Sequence, residues 1–249
     1  MLKPKVIAIV GPTASGKSAL GLFLAQKLNG EIISADSRQV YRGMKVISRA
    51  PHKKDMAIIP HHLVGTADPR HAYSAGMYVR EAKKIIEDMV RRNKTPIVVC
   101  GAGLYADALL RGWSLPQVAP NKPLRMVLGK KSATQLLTIL TKLDPRRARH
   151  IDTKNPVRMI RAIEIARTLG TVPTLSIKAP CDTLWFGLAP EKNMHERAIQ
   201  KGIQERMAQG MVREIKKLRV QLSRKRFREL GFEFTLVAEY LDKKITKEK

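Results

Sequence analysis

A phosphate-binding pattern near the start of the chain is the feature most directly tied to chemistry. Residues 11–18 read GPTASGKS, which matches G-x-x-x-x-G-K-[ST] between a predicted strand and a predicted helix. In this pattern the glycines let backbone N–H groups converge on phosphate oxygens at a helix N-terminus. Lys17 would hold a terminal phosphate, and the Ser18 hydroxyl would be a ligand of Mg²⁺. The alternative is a glycine-rich turn without a ligand, but the two flanking elements favour the phosphate loop.

A carboxylate follows the second predicted strand. Residues 36–43 read DSRQVYRG and come directly after the apolar run EIISA. In a parallel sheet this position is at the carboxyl edge, beside the phosphate loop. Asp36 could therefore act as a general base or hold Mg²⁺ through water. The alternative is a structural one, in which Asp36 caps a turn or a helix.

The elements that must position these residues alternate between strands and helices. Short runs rich in β-branched residues predict buried strands, and apolar residues at helical spacing in 77–93 predict a helix between two of them. This alternation predicts an α/β fold, a P-loop NTPase-like doubly wound parallel sheet with a helical insertion domain. The predicted strands are 5–10, 31–36, 95–101 and 183–188.

The predicted insertion differs in composition from the rest of the chain. It opens with the Pro-bearing segment LPQVAPNKP and continues as short helices. Within 121–170 there are twelve Lys and Arg residues against three acidic ones. Such an excess of positive charge indicates a nucleic-acid clamp, although a solvated helical face would have a similar composition. We therefore expect three parts: a P-loop core over 1–117, a basic helical insertion that binds nucleic acid over 118–181, and a returning strand with C-terminal helices over 182–249.

Composition and charge limit the class of protein. Of the 249 residues, 44% are hydrophobic, and 47 Lys and Arg against 21 Asp and Glu give a formal net charge of +26. The apolar content argues against general disorder, and the charge favours a polyanionic partner, with nucleic acid first and an anionic membrane second. No run approaches the roughly 18 apolar residues that span a bilayer. Two cysteines far apart exclude a disulfide framework, and the start of the chain lacks a signal-peptide pattern. We expect a cytoplasmic monomer without a membrane partner.

Several segments of the sequence together resemble one family, the tRNA dimethylallyltransferases (isopentenyltransferases). The motifs follow that family's order across roughly residues 5–240, and the phosphate loop followed by DSRQVYRG is the most specific pair. The matching segments are GPTASGKS, SADSRQVYRGM, HHLVGTADP, YSAGMYVREA, PIVVCGAGLYADALLRG, LDP and NPVRMIRAIE.

The resemblance implies a function. Members transfer a prenyl group from dimethylallyl diphosphate to N6 of the adenosine just 3′ of the anticodon in tRNA, and the phosphate loop holds diphosphate in place of a nucleotide. It implies Mg²⁺ as cofactor, Asp36, Lys17 and Thr13 as catalytic residues, and Ser18 as the metal ligand. The implied diphosphate-binding residues are Gly11, Pro12, Thr13, Ala14, Ser15, Gly16, Lys17 and Ser18. The implied tRNA-binding residues are Asp36, Ser37, Arg38, Gln39, Ala102, Arg125, Val157, Arg158, Met159, Ile160 and Arg161.

Some positions depart from the family's pattern. Ala102 stands where the family has a threonine, so a hydroxyl donor is missing. Ala198 and Gly202, aligned on Gly210, stand where the family usually has two arginines four residues apart, one of which helps to bind diphosphate. Nearby, Arg197 and Arg206 are candidate replacements. We expect slow turnover from this chain, and a gain in turnover from Gly202→Arg. The chain also ends before the family's usual basic-aromatic C-terminal segment, which is compatible with a short natural form, a truncation or a decayed gene product.

Three other functions remain open on the sequence. A catalytically weakened tRNA-binding relative would explain the departures. A small-molecule P-loop kinase would explain the phosphate loop but gives the basic insertion no purpose. Prenyl transfer to free adenine nucleotides has the same weakness, because a free nucleotide needs no clamp.

Overall fold

A parallel sheet of five strands forms the centre of the computed structural model, which describes residues 3–245. The strand order is β3-β2-β4-β1-β5, and each neighbouring pair is parallel. β1 and β2 are consecutive in the chain but separated in the sheet by β4. The strands are β1 Lys5–Val10, β2 Gly30–Ala35, β3 His61–His62, β4 Thr95–Cys100 and β5 Asp182–Gly187.

Both faces of the central strands are buried, which explains why they read as continuous apolar runs. Successive side chains of a strand point to opposite faces. Ile32 packs in the cluster that includes Ala25 of helix α1 (Lys17–Lys27), while Ile33 packs with Ala82 of helix α3 (Ala75–Arg91). Helices therefore cover both sides of the sheet, as in a doubly wound fold.

Further helices belong to the same part of the chain as the sheet. A short helix, α4, continues as five residues of π-helix, Asp107–Arg111. Three helices near the end of the chain, α10 to α12, pack with Val40, Met44 and Ile47 in a separate apolar cluster. The bounds are α2 Lys53–Ile58, α4 Gly103–Ala106, α9 Lys192–Ala208, α10 Met211–Gln221, α11 Arg224–Glu229 and α12 Phe232–Leu241.

A second compact unit, Trp113–Ile177, has its own apolar core. We call it the insertion unit and call the rest of the described chain, 3–112 and 178–245, the core unit. Four helices build the insertion unit, each with a side-chain cap at its start from Asn121, Ser132, Asp144 or Asn155. These helices are α5 Lys122–Leu128, α6 Ala133–Leu143, α7 Pro145–Arg149 and α8 Pro156–Leu169.

The predicted fold class is confirmed, and the four predicted strands are present within one residue of their expected bounds. The two-residue strand β3 was not predicted, because His-His carries no strand propensity and pairs with β2 only at Ile32 and Ile33. The insertion unit begins five residues before the expected 118 and ends four before 181. Within residues 3–245, no helix is long and apolar enough to cross a membrane.

Candidate active site

The phosphate loop lies between β1 and α1, as the pattern predicts. Ala14 and Gly16 both adopt positive φ values, 64° and 91°, which turn the chain sharply into the first turn of the helix. The Lys17 ammonium folds back over this loop and donates to Gly11 O at 2.9 Å and Pro12 O at 2.7 Å. The lysine therefore lies at the mouth of the loop, where the pattern expects a phosphate group.

Electrostatic coupling joins Lys17 to Asp36. Burial lowers the pKa of Lys17, and the opposing influences come from Asp36 first and Cys100 second. These residues follow or end three neighbouring strands, β1, β2 and β4, so the carboxyl edge of the sheet brings them together. Burial partly removes water from the Lys17 ammonium group, and the Asp36 carboxylate influences it. The ammonium group can therefore hold an anion, and the carboxylate can serve as a base.

Asp36 uses its two carboxylate oxygens differently. Oδ1 accepts from the backbone N–H of Arg38 at 2.7 Å and of Gln39 at 3.2 Å, which is the turn cap that the sequence left open. Oδ2 is directed at Gly101, where an added Cβ would overlap the carboxylate. Glycine is therefore required at 101 for the carboxylate to lie at this edge. The cap fixes the carboxyl group, and within residues 3–245 Oδ2 accepts no hydrogen bond.

The neighbours of Asp36 are engaged within the protein to different degrees. Gln39 accepts from Ser34 Oγ at 2.8 Å and donates from Nε2 to Ser48 O and Arg49 O at 3.3 and 3.2 Å. Its side chain therefore holds the segment around 48–49 in place. Ser37 and Arg38 are half-buried. Contact of Ser37, Arg38 and Gln39 with a nucleotide stays a prediction.

Ala102 lies at the start of α4, and its backbone N–H donates to Ala35 O at 2.8 Å. The methyl group is half-buried beside the Asp36 strand end and has no donor to offer. A role of this departure in the site stays a prediction.

Helix α9 contacts the phosphate loop. His195 Nε2 and Thr13 O are 2.7 Å apart, and since a carbonyl oxygen only accepts, this nitrogen carries the proton. The link between residues 182 positions apart was not signalled by the sequence. It joins α9 to the phosphate loop at the carbonyl group of Thr13.

A cavity of about 620 Å³ adjoins the phosphate loop and α9. Both departures on α9, Ala198 and Gly202, line it, together with Ala14 and Ser18 of the phosphate loop. Arg197, one candidate replacement, is exposed and is absent from this lining, whereas Arg206 is part of it. The cationic residues of the lining are Lys45, Arg49, Lys201 and Arg206, and the acidic ones are Asp55 and Glu205.

In the insertion unit, two of the expected tRNA-binding arginines are turned toward a buried carboxylate. Glu164 accepts from Arg125 Nε and Nη2, both at 2.7 Å, from Asn121 N at 2.8 Å and from Arg161 Nη1 at 3.2 Å. Arg161 also donates from Nη2 to Val118 O at 2.8 Å. Arg125 therefore joins α5 to α8, and Arg161 joins α8 to the segment before α5.

The other expected tRNA-binding residues of α8 divide between core and surface. Met159 is fully buried and Ile160 half-buried, so their side chains pack inside the unit. Val157 and Arg158 are exposed, and the Arg158 guanidinium lies 3.8 Å from Asp152. Of the expected tRNA-binding residues of α8, Val157 and Arg158 are the ones whose side chains face solvent.

The adjacent histidines of β3, His61 and His62, make contacts within the protein. His62 Nε2 is 2.7 Å from Glu31 Oε2, and Arg92 pairs with the same carboxylate. The hydrogen bond from Arg92, helped by the one from His62, lowers the pKa of Glu31 to about 2 despite its burial. Over 3–245, no three His, Cys, Asp or Glu residues are grouped so that they could hold a metal ion.

Known proteins resemble the chain over most of its length. A family model described as IPP transferase matches residues 39–249, and one described as isopentenyl transferase matches 4–60. The chain is 36% identical over 225 residues to a tRNA dimethylallyltransferase of Pelotomaculum thermopropionicum, covering 87% of this chain and 71% of that protein. A tRNA dimethylallyltransferase of Roseiflexus sp. is 39% identical over 222 residues, with 86% and 72% covered.

Solved structures are similar as well. The full-length tRNA isopentenylpyrophosphate transferase of Bacillus halodurans superposes with a TM-score of 0.72 at 31% identity, covering 99% of this chain and 80% of that one. A eukaryotic dimethylallyltransferase solved acting on tRNA gives a TM-score of 0.72 at 28% identity, with 86% and 55% covered.

Proposed function

The chain belongs to the IPP transferase family, and we propose that it transfers a dimethylallyl group from dimethylallyl diphosphate to N6 of the adenosine 3′-adjacent to the anticodon in tRNA. The resemblance noted on the sequence motifs is thereby confirmed. The observation that carries the proposal is geometric: Lys17 of the phosphate loop and Asp36, which follows β2, lie at the same edge of the sheet, and the family's sequence pattern shares both segments.

The residues of the core unit support the individual steps of this reaction. The loop N–H groups and Lys17 would bind the diphosphate and stabilise its charge as the carbon–oxygen bond breaks. N6 of adenosine would form the new bond to the prenyl carbon, and its proton would pass to Asp36. An N6 amine inside a base stack is out of reach, so the adenosine must leave the stack before it reacts.

Mg²⁺ fits the donors that the site offers. Ser18 is exposed on the first turn of α1 and lines the cavity beside the loop, and Asp36 lies at the same edge. Such oxygen donors suit Mg²⁺, which commonly takes one or two protein ligands and completes its shell with phosphate oxygens and water. Bound there, it would neutralise charge on the leaving diphosphate.

For tRNA, the proposal assigns a binding role to the insertion unit through its exposed positive charge. On α8, Arg158 contributes exposed charge and Val157 lies exposed beside it, whereas Arg125 and Arg161 contribute through the shape that they give to the unit. Phosphate contacts of this kind give affinity and register rather than sequence specificity.

The test is incubation of the whole chain with dimethylallyl diphosphate, Mg²⁺ and unmodified tRNA that carries adenosine after the anticodon. Nucleoside mass after digestion should show prenylated adenosine. Lys17→Ala should remove the product, because the variant lacks a charge worth several kcal/mol at the leaving group. Arg91→Ala is the matched control, since Arg91 ends α3 at the opposite edge of the sheet and pairs with Asp88.

Two further arms separate the alternatives. Prenylation of free adenosine monophosphate without tRNA would indicate the nucleotide-modifying activity. Stoichiometric ADP formation from ATP with a small acceptor would indicate the kinase activity and contradict the proposal.

A further inference from the structure

The space next to Gly202 is already filled by a guanidinium group from another part of the chain. Gly202 is buried on the face of α9 that lines the cavity beside the phosphate loop. A Cβ added there would overlap the Arg49 guanidinium, with Cζ at 2.7 Å and Nη1 at 3.2 Å. Any side chain at 202 would therefore displace Arg49, and glycine is the residue that lets Arg49 lie against the helix.

The backbone around Arg49 is fixed by contacts on both sides. The Glu214 carboxylate accepts from the N–H groups of Lys45, Val46 and Ile47 at 2.9 to 3.1 Å. Gln39 Nε2 donates to Arg49 O at 3.2 Å. Arg49 itself has φ +52°, a left-handed conformation that a non-glycine residue adopts only when its surroundings enforce it. The guanidinium is thus presented to the cavity by a constrained segment.

The charge at this point is positive and incompletely compensated. Nη2 of Arg49 is buried, and among residues 3–245 it has no hydrogen-bond partner. Arg206 lies beside it and donates to Ile47 O at 3.1 Å and to Gly202 O at 3.2 Å. Burial first, and the charge of Arg49 second, lower the pKa of Arg206, while Glu233 at 3.9 Å opposes them. Within residues 3–245, the two adjacent guanidinium groups share no carboxylate, which favours an anion between them and the phosphate loop.

We propose that Arg49 binds the diphosphate of the prenyl donor, in place of the arginine that this family's pattern puts at position 202. The inference rests on the proposed function for the identity of the anion. Arg49, Arg206 and Lys17 would contact the same diphosphate from the loop segment, from α9 and from the phosphate loop. A guanidinium donates two parallel N–H groups to such an oxyanion and holds its charge as the prenyl carbon departs.

This arrangement changes the effect on turnover that we expect from an arginine at position 202 of α9. From the sequence alone, Gly202→Arg was expected to raise turnover. With Arg49 in the same space, that variant adds a clash and a third guanidinium group, so alone it should not raise turnover. Combined with Arg49→Ala, it should place a guanidinium back in the emptied cavity.

The experiment measures binding of inorganic pyrophosphate with Mg²⁺ to the whole chain by titration calorimetry, so it does not depend on prenyl transfer. Arg49→Ala should weaken binding by about 10- to 100-fold, the loss expected for one charge-assisted contact. Arg49→Lys should recover part of it, Arg49→Ala with Gly202→Arg should recover most of it, and Arg91→Ala should bind as the unchanged chain does.

Wild-type affinity in Arg49→Ala would overturn the inference. So would a loss that neither Arg49→Lys nor the double variant recovers, with a lower melting temperature, because Arg49 would then serve packing alone. If the unchanged chain forms no prenylated tRNA but the binding pattern holds, the proposed function fails and the anion site stands.

Discussion

Two pairs of arginines in this molecule differ in what faces them. In the insertion unit, Arg125 and Arg161 converge on the buried Glu164, whose oxygens accept four hydrogen bonds. In the core unit, Arg49 and Arg206 lie side by side, and a carboxylate oxygen of Glu233 lies 3.9 Å from Arg206. A saturated pair stabilises the fold, whereas a pair with unused donors can bind an anion. Net charge alone does not distinguish the two.

The carboxylates repeat the contrast. Glu164 has both oxygens occupied by cationic or backbone donors. Asp36 has one oxygen held by two backbone N–H groups and the other directed at Gly101. We therefore expect Asp36 to matter for turnover with little effect on stability, and Glu164 to matter for stability.

The largest effect is expected at Asp36. Asp36→Asn keeps the shape but removes the proton acceptor, so the turnover number should fall about 10²- to 10⁴-fold with little change in tRNA affinity. Single-turnover prenylation and filter binding measure the two quantities. Near-normal turnover in both the Asn and the Ala variants would assign the proton to another group and erase the contrast with Glu164.

At Glu164 the opposite result is expected. Glu164→Ala leaves Arg125 and Arg161 facing a buried site without their shared carboxylate, which should cost about 3–5 kcal/mol in the free energy of unfolding. The chain has two tryptophans, and Trp113 belongs to the insertion unit while Trp185 lies in β5. In a Trp185→Phe background, urea denaturation followed by fluorescence reports on the insertion unit.

The same background provides the control. Asp36→Asn should leave that denaturation midpoint unchanged, since Asp36 belongs to the core unit. A loss below about 1 kcal/mol for Glu164→Ala would show that the arginine pair is not held by this carboxylate.

Acid should weaken this ion-pair cluster in a defined direction. Burial raises the pKa of Glu164, but the hydrogen bonds from Arg125, Asn121 and Arg161 outweigh it and lower the pKa below the usual 4.5. A lowered native pKa stabilises the fold at every pH above the unfolded value, and the contribution is lost as the pH falls below about 4.5. The difference in unfolding free energy between the unchanged chain and Glu164→Gln should therefore shrink from pH 6 toward pH 3. A constant difference would mean that ionisation of Glu164 contributes nothing.

How much of the fold and of the site could be predicted depends on how far apart in the sequence the contacting residues lie. GPTASGKS and DSRQVYRG are local patterns, and with the strand runs they place Lys17 and Asp36 at one sheet edge. The Arg161–Glu164 pair was not predicted, although residues three apart share a helix face, because Arg161 was assigned to tRNA binding. Arg49 was missed, because no local signal connects it to Gly202, and the glycine looked like a loss rather than room for another side chain. The hold of Gln39 and Glu214 on the segment around Arg49 likewise depends on tertiary contacts.

The smallest expected effect distinguishes Arg158, which is exposed on α8, from Arg161, which is paired with Glu164. Arg158→Ala should lower the slope of log affinity for tRNA against log salt by about 0.7 to 0.9, the contribution of one neutralised phosphate. Its side chain is 67% exposed, and the pairing with Asp152 is at 3.8 Å, so little holds it back from a phosphate. Arg161→Ala should leave the slope nearly unchanged and lower the stability of the insertion unit instead, because its guanidinium is bound to Glu164 and Val118. Binding measured from low to moderate salt, with the Trp113 denaturation curve beside it, separates the two. If Arg161→Ala changes the slope as much as Arg158→Ala does, the buried carboxylate does not retain its arginine in the complex, and positive charge in this unit is shared between fold and tRNA.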